Sequence, residues 1–409
     1  MGDRGDRAKG ALLTETPLDL GGKPAVALWR NNFLPYSETF IHDQLRFHER
    51  YRAVVFCRRR RNAELFPHDP TVALEGIPHG GSKLASLRYG VLGVSARFDR
   101  ELERCGAKIV HAHFGHNGAF ALPFAKRLRL PLVVSLHGHD VTVLGSAERF
   151  RPAWWRYTLR KRALFDYAAL FLAASAELKE LAVAAGCPSE KVRIHRLGID
   201  LDHFAPHAPP PGGDSAALVV MVGRFVEKKG HEYGLRAFAE ARRGGLNARL
   251  VIAGDGPLRG RYERLIAALA LGGSVELPGA LPHENIRALL AAAAVVLAPS
   301  VVARTGDRES GLMVAKEASA CAIPVIGTRH GGIPEIIDDG VTGYLVAERD
   351  AEALGERLRA ILQNPALGRR LGAAARSKME REYDIARQVR DLEAIYDDVI
   401  AAHAGKGPS

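Results

Sequence analysis

The sequence predicts an α/β protein built from two Rossmann-like parallel-sheet domains that face each other across a cleft. Three observations carry this. Short β-type runs alternate with helical patterns along the whole chain, as parallel sheets with crossover helices require. Several of the runs are apolar throughout (LVVMV, AVVLA), which fits strands buried on both faces. The chain of 409 residues exceeds one ordinary core, and Pro206-His207-Ala208-Pro209-Pro210-Pro211-Gly212-Gly213-Asp214 interrupts it as a stiff linker.

In order, strands are expected at residues 25–30, 53–57, 108–112, 132–136, 169–173 and 192–195, then at 218–222, 249–253, 274–277, 295–298, 324–327 and 344–346. Helical periodicity separates most of them, at 37–49, 176–185, 230–242, 259–270 and 351–362. The domains are thus expected at 1–205 and 206–384, with a final helix over 385–403 packing back on the first.

Composition narrows the classes. Hydrophobic residues at 47% and charged residues at 25% exclude disordered, collagen-like and coiled-coil chains. The opening MGDRGDRAKGALLTETPLDLGG has no apolar h-region, so no signal peptide is expected. The apolar stretch 288–298 ends at Pro299, short of the ~20 residues that span a bilayer. Cys57, Cys105, Cys187 and Cys321 are scattered, forming neither a disulfide framework nor a metal knuckle, which fits a reducing cytoplasm. The net charge of +11 is uneven: residues 1–203 carry 31 Lys and Arg against 21 Asp and Glu, the remainder 26 against 25. A basic half implies an anionic partner (nucleic acid, phospholipid or phosphorylated substrate), or solubility alone.

Ligands of open α/β sheets bind beyond the carboxyl ends of the strands, so the residues that follow each second-half strand carry the chemistry. Gly223-Arg224-Phe225-Val226-Glu227-Lys228-Lys229-Gly230 offers a close backbone approach at Gly223 and cations able to clamp a diphosphate. Gly254-Asp255-Gly256-Pro257 is a tight turn that does not complete a dinucleotide fingerprint. Glu309 and Glu317 flank seven residues, with a helix expected to begin near Gly311. The free N–H groups there, at Gly311, Leu312 and Met313, form an anion site. Carboxylates repel an anion, so Glu309 is assigned to sugar hydroxyls and Glu317 to a ribose diol. Together these features describe a nucleotide-sugar site; two solvated glutamates on a helix face are the plain alternative.

Residues 222–346 resemble the retaining glycosyltransferases of family 4, which have the GT-B fold. The resemblance rests on Gly223-Arg224 with Lys229-Gly230, on Ala253-Gly254-Asp255-Gly256-Pro257, and on Glu309 and Glu317 followed by Ala318 and Pro324-Val325. It continues in Gly331-Gly332-Ile333-Pro334-Glu335 and Asp339-Gly340-x-x-Gly343. The resemblance implies that Arg224 and Lys229 hold the donor diphosphate, that Glu309 contacts the donor sugar, and that Glu317 contacts the ribose. Ala322 departs from the pattern, which usually has Gly there. Pro35-x-Ser37-Glu38-Thr39-Phe40-Ile41 replaces the double-glycine loop of many members and resembles an exopolysaccharide branch of the colanic-acid type. Its plain reading is a helix start capped by Ser37, with Glu38 favouring the dipole or presented to an acceptor.

Two histidine pairs, His111-Ala112-His113 and His137-Gly138-His139 followed by Asp140, end predicted strands. Residues i and i+2 share a strand face, so either pair is a candidate chelate for a metal-dependent hydrolase. The resemblance instead implies His137 near the transferred bond, with His111 or His113 as wall residues. Asp200-Leu201-Asp202 matches the interdomain crossover rather than a metal-binding Asp-x-Asp, so no metal is expected. The segment RFRPAWWRYTLRKR, residues 149–162, holds six basic residues and Trp154-Trp155, which suits an anionic membrane interface, with Arg58–Arg61 adding to it; a core role for the tryptophans is the alternative.

The expected activity is retaining, metal-independent transfer from a nucleotide diphosphate sugar (UDP- or GDP-linked) to a saccharide or lipid-linked saccharide hydroxyl in bacterial polysaccharide biosynthesis. It requires no cofactor. The expected setting is cytoplasmic, with peripheral membrane association and no nucleic-acid partner. His137, Glu309, Arg224 and Lys229 are expected at the chemistry, Gly223, Gly311, Leu312, Met313 and Glu317 at the donor, and Glu38, His113 and Asp140 at the acceptor. A GT-B-type sugar-nucleotide epimerase and the metal-dependent hydrolase are the rival readings.

Overall fold

The computed structural model describes residues 21–35, 38–75, 83–206 and 216–405. The first domain is an eight-stranded sheet of β1 (Ala25–Trp29), β2 (Asn32–Phe33), β3 (Arg52–Arg60), β4 (Thr71–Glu75), β5 (Ala107–His113), β6 (Leu132–Leu136), β7 (Leu170–Ala173) and β8 (Val192–Ile194). Its order is β2-β3-β1-β5-β6-β7-β8, with β4 beside β3, and its strands run parallel. The second sheet holds β9 (Ala217–Val222), β10 (Ala248–Ala253), β11 (Val275–Gly279), β12 (Val295–Ala298), β13 (Val325–Thr328) and β14 (Gly343–Val346), ordered β11-β10-β9-β12-β13-β14 and also parallel. The fold is therefore two parallel-sheet α/β domains.

Helices cover both faces. In the first domain these are α1 (Thr39–Arg46), α2 (Lys83–Leu92), α3 (Ala96–Arg104), α4 (Gly115–Arg127), α5 (His139–Gly145), α6 (Pro152–Tyr167) and α7 (Ala176–Ala184). In the second they are α8 (His231–Arg243), α9 (Arg259–Ala268), α10 (His283–Ala291), α11 (Met313–Ala320), α12 (Ile333–Ile336), α13 (Ala351–Gln363) and α14 (Pro365–Glu382). The last helix, α15 (Ile385–Ala404), buries Leu392, Ile395 and Tyr396 against Val26, Leu28 and Val55 of the first sheet. Glu393 anchors it there: its carboxylate accepts the N–H groups of Glu49, Arg50 and Tyr51 and pairs with His48 at 3.1 Å.

Several expectations need correction. β4 and α14 were not foreseen, and the expected helix at 37–49 is shorter. Its N-cap is Glu38, whose side chain makes no capping bond, while Ser37 lies outside the described residues, as do linker positions 207–215. The arginine run is not a free cationic patch. Arg58 and Arg59 pair with Glu75 at 3.6 and 2.5 Å, and Arg60 lies over the Phe33 ring, because the run extends β3 alongside β4. Ala322 takes φ +58° just past α11, the left-handed conformation that glycine usually supplies at a helix end.

Candidate active site

A cavity of about 740 Å³ lies between the domains, lined by loops that follow the strands of both sheets. On the second-domain side, two glycines let the loops that follow neighbouring strands approach closely. A Cβ on Gly254 would stand 2.0 Å from the Gly223 carbonyl, and one on Gly230, at φ +61°, would stand 1.8 Å from the Pro299 carbonyl. The short turn Glu227–Lys229 that Gly230 closes delivers two cations to Glu309. Lys229 Nζ lies 3.2 Å from Glu309 Oε2 and Lys228 Nζ 3.6 Å from Oε1; Lys228 also meets Asp307 at 3.2 Å. Burial alone would raise the Glu309 carboxyl, but Lys229 and Lys228 outweigh it and hold it below its ordinary value. Its Oε1 is buried with no hydrogen-bond donor. The Glu309 N–H donates to His330 Nε2 at 3.0 Å, which fixes the remaining proton of a neutral ring on Nδ1, facing Glu348 at 2.7 Å. Arg224 is exposed in the same wall.

The helix after this loop begins at Met313, two residues beyond the expected start, with Leu312 as its N-cap. Gly311, Leu312, Met313 and Val314 at its start line the cavity, and its second turn presents Glu317, 3.7 Å from His283. Burial lowers the His283 pKa, Glu317 more than offsets it, and the net shift is upward. Across the gap, burial raises the Asp43 carboxyl to about 6, with Asp200 and Glu317 adding to the effect.

On the first-domain side His137 follows β6, its ring framed by Phe40 and Phe114 with centroids 5.0 and 4.5 Å away. Its Nε2 is 3.1 Å from His113 Nδ1, and burial pushes both histidines well below their ordinary pKa, so both are neutral at pH 7. His113 and Asp140, expected at the acceptor, do not line the cavity. His113 is fully buried behind His137. Asp140 accepts the N–H groups of Gly115, His137 and Gly138 and so shapes the turn that carries His137. Glu38 reaches the cavity wall, but Arg30 binds it in a bidentate pair at 2.6–2.7 Å.

The histidine pairs do not form chelates. His111 bonds Tyr396 and Ser135, while His137 and His139 diverge, His139 meeting Glu148 and Asp307 at 3.4 Å. Among the described residues, no group of three or more His, Cys, Asp or Glu side chains is arranged to hold a metal ion, which leaves the metal-dependent hydrolase reading without a site.

The domains meet at one edge of the cavity. Ser310 Oγ donates to the His137 carbonyl at 2.6 Å, and a Cβ on Gly138, at φ +119°, would stand 2.9 Å from Ser310 Oγ. Arg308 pairs with Glu177 and His139 with Asp307 across the same edge. Lys228, already among the cations of the Gly223–Gly230 turn, joins the site, and so do Ser310, Asp307, Asp43 and His283. For Ser310 and Asp307 the signal was adjacency to Glu309. Asp43 and His283 carried none.

Residues 38–203 match the family model described as Glycosyltransferase Family 4, and residues 209–378 match the one described as Glycosyl transferases group 1. The amylovoran biosynthesis glycosyltransferase AmsK of Erwinia amylovora is 32% identical over 299 residues, 71% of this chain and 70% of that one. The chain belongs to glycosyltransferase family 4. The colanic acid biosynthesis glycosyltransferase WcaL of Escherichia coli strain K12 is 32% identical over 63% of this chain, a match that spans 62% of WcaL. Family 4 membership agrees with the fold: HepE from Anabaena, solved in complex with UDP, superposes with a TM-score of 0.73 at 19% identity, covering 92% of this chain and 100% of HepE.

Proposed function

We propose that the protein transfers a glycosyl unit from a UDP- or GDP-linked sugar to a hydroxyl of a saccharide, in exopolysaccharide biosynthesis, with retention of configuration. The observation that carries this is Glu309, an ionised carboxylate with one oxygen that accepts no hydrogen bond, held by Lys228 and Lys229 beside the start of α11 and facing the cavity that His137 lines from the other domain. When a diphosphate enters, the two lysines, Arg224 and the α11 amides serve as its counter-charges and stabilise negative charge developing on the leaving group. Glu309, relieved of Lys229, then accepts hydrogen bonds from sugar hydroxyls. His137 is neutral and carries no charge to oppose the developing oxocarbenium ion. The acceptor attacks from the face the diphosphate leaves, so the transfer needs no protein nucleophile.

An epimerase would act on the nucleotide sugar without an acceptor, so product analysis with and without a saccharide acceptor separates the two readings. The relatives' names, amylovoran and colanic acid biosynthesis, support the polysaccharide setting, and the UDP and UDP-glucose complexes of HepE support the donor class. No metal and no cofactor take part, so EDTA leaves transfer unchanged.

The acceptor in this reading is lipid-linked and met at the cytoplasmic face of the membrane. A surface shared by α2 and α6 supports this: Leu87, Val91, Leu92, Phe150, Trp155 and Leu159 are exposed there, Trp155 by 55% and Leu159 by 83%. Arg156 joins the two helices through the Gly90 and Val91 carbonyls, Arg149 lies over the Phe150 ring, and Arg151 is exposed at the start of α6. Trp154 turns inward instead, edge-on to His116 and His139. No helix among the described residues is long and apolar enough to cross a membrane.

The test is a panel of nucleotide sugars screened by thermal shift, followed by product analysis with the stabilising donor. Glu309→Ala and Lys229→Ala are expected to abolish transfer while keeping the wild-type circular dichroism spectrum, at a lowered melting temperature because each leaves a buried partner charge unpaired. Near-normal transfer by either variant, or no stabilisation by any donor, defeats the reading.

A further inference from the structure

The chain passes between the domains twice, and the two passages are hydrogen-bonded to each other. Ile199 N–H donates to the Tyr383 carbonyl at 2.8 Å, and Ile385 N–H donates to the Ile199 carbonyl at 3.1 Å, closing a parallel bridge between Ile199 and Asp384. The approach is tight: a Cβ on Gly198 would stand 2.5 Å from Ile385 Cα. Any rotation of one domain against the other must act on this pair of strands.

One side chain of α11 reaches both. Lys316 is 1% exposed, donates from Nζ to the Leu197 carbonyl at 2.9 Å in the first passage, and lies 4.8 Å from the centre of the Tyr383 ring in the second. At its other end α11 belongs to the donor wall, with Leu312 and Met313 at its start and Glu317 adjacent to Lys316. A Cβ on Gly311 would stand 3.9 Å from Lys316 Nζ and 3.5 Å from the Leu197 side chain. The amine therefore sits directly behind the turn assigned to the diphosphate.

We propose that Lys316 is a positioning residue that couples donor capture to the interdomain hinge: a diphosphate at the start of α11 draws a proton onto the Lys316 amine, and the resulting ammonium tightens its hold on the Leu197 carbonyl and the Tyr383 ring. The inference rests on the proposed donor site. Its chemistry follows from where the amine lies. Burial pulls its pKa down to about 7, and Arg196 in the first passage opposes its charge, while Glu335 of α12 and Glu317 of its own helix favour it. Tyr383 and His195 also face it: burial holds the Tyr383 phenol protonated, and burial, with Lys316 among the charges opposing protonation, lowers the His195 pKa. The free site thus holds a partly neutral amine with a single carbonyl acceptor. An arriving dianion supplies the missing favourable field, and binding takes up a proton from solvent at pH values above 7. Donor affinity then falls as pH rises, because the amine must be charged at growing cost.

UDP and GDP are the probes. Titration calorimetry at pH 7.5 and 8.5, in two buffers of different ionisation enthalpy, measures proton uptake above the range where the nucleotide's own terminal phosphate titrates (second ionisation near ~6). Wild type is expected to take up protons and to lose affinity by up to about tenfold over that unit, the limit for one proton. Hydrogen exchange at the Ile199 and Ile385 amides is expected to slow about fivefold or more on nucleotide binding, the lower end of ordinary coupling between sites. Lys316→Met, similar in length and uncharged, is expected to bind with no proton uptake, a flat affinity between the two pH values, and unchanged exchange at both amides. Binding by wild type without proton uptake overturns the proposal with no variant needed, as does a Lys316→Met protein that reproduces both wild-type responses. Failure of UDP and GDP to bind wild type at all defeats the donor reading and this inference with it.

Discussion

Lys229 and Glu309 form an internal ion pair that the donor must open, so removing its two halves has opposite effects. Lys229 Nζ stands 3.2 Å from Glu309, a contact of about 5 kcal/mol at an effective dielectric constant of ~20. Lys228, at 3.6 Å, is shared with Asp307, so it cannot fully compensate for loss of Lys229. In Lys229→Met, burial then dominates and the Glu309 carboxyl moves upward. The sign follows. In wild type the depressed carboxyl stabilises the fold above its unfolded pKa, and that contribution is lost as pH falls through the folded value; the variant loses it instead as pH rises. For binding, one charge-assisted contact to the diphosphate is lost, roughly 1.5–3 kcal/mol, which is about a 10- to 150-fold weaker dissociation constant. Glu309→Gln removes the internal competitor, so nucleoside diphosphate affinity holds or rises while transfer falls by about 100-fold or more. Calorimetric titration with UDP and GDP on both variants, beside product formation, gives the comparison. Affinity changes of the same sign in the two variants, or a Lys229→Met affinity within about threefold of wild type, would refute the argument.

Gly138→Ala places a methyl group 2.9 Å from Ser310 Oγ at a φ of +119°, so transfer should drop steeply and the melting temperature should fall, by backbone strain of about 1–3 kcal/mol; scattering on addition of nucleotide should show the domains held apart. Asp43 carries a carboxyl raised to about 6, so its ionisation opposes folding above that pH and not below pH 4. Asp43→Asn should stabilise the protein by at most about 2–3 kcal/mol at pH 7.5 and negligibly at pH 4, measured by urea unfolding at both. Glu393, lowered to about 2 with desolvation overcome by His48 and backbone N–H groups, contributes stability that is present above pH 4.5 and lost toward pH 2. Glu393→Gln should cost about 1–3 kcal/mol at neutral pH and release α15 to proteolysis first. Alanine at both Trp155 and Leu159 should reduce co-sedimentation with phosphatidylglycerol vesicles several-fold and leave transfer to a soluble acceptor intact.

Both sheets were readable because parallel strands buried on two faces must be apolar along their length, and each such run, from Val26 to Val346, is followed by a glycine or polar turn. β4 was missed because Thr71-Val72-Ala73-Leu74-Glu75 is short and lies beside a proline, with little to set it apart from a loop; it is a strand because β3 supplies its partners. The donor wall was readable for a related reason. Glycine where backbones approach, cations in a tight turn and carboxylates spaced around a helix start are all local in sequence. The first-domain wall is not local: whether a side chain at a strand end points into the cleft or behind it depends on the turn that follows. His113 and Asp140 have the chemistry of acceptor ligands, yet one lies under His137 and the other is spent on three backbone N–H groups.

The same limit applies to charge. Read along the chain, Lys229 and Glu309 have separate tasks 80 positions apart; in the fold each is the other's nearest counter-charge. A site that keeps its phosphate clamp and its sugar reader paired in the absence of donor does not leave either charge buried and unpartnered, which would cost several kcal/mol. It also makes the order of events physical. The carboxylate becomes available to a sugar only after a diphosphate has replaced it on the lysines, so a free monosaccharide should bind weakly without UDP or GDP and measurably with it. Equal affinity for the monosaccharide with and without the nucleotide would show that the pair is not opened by the donor.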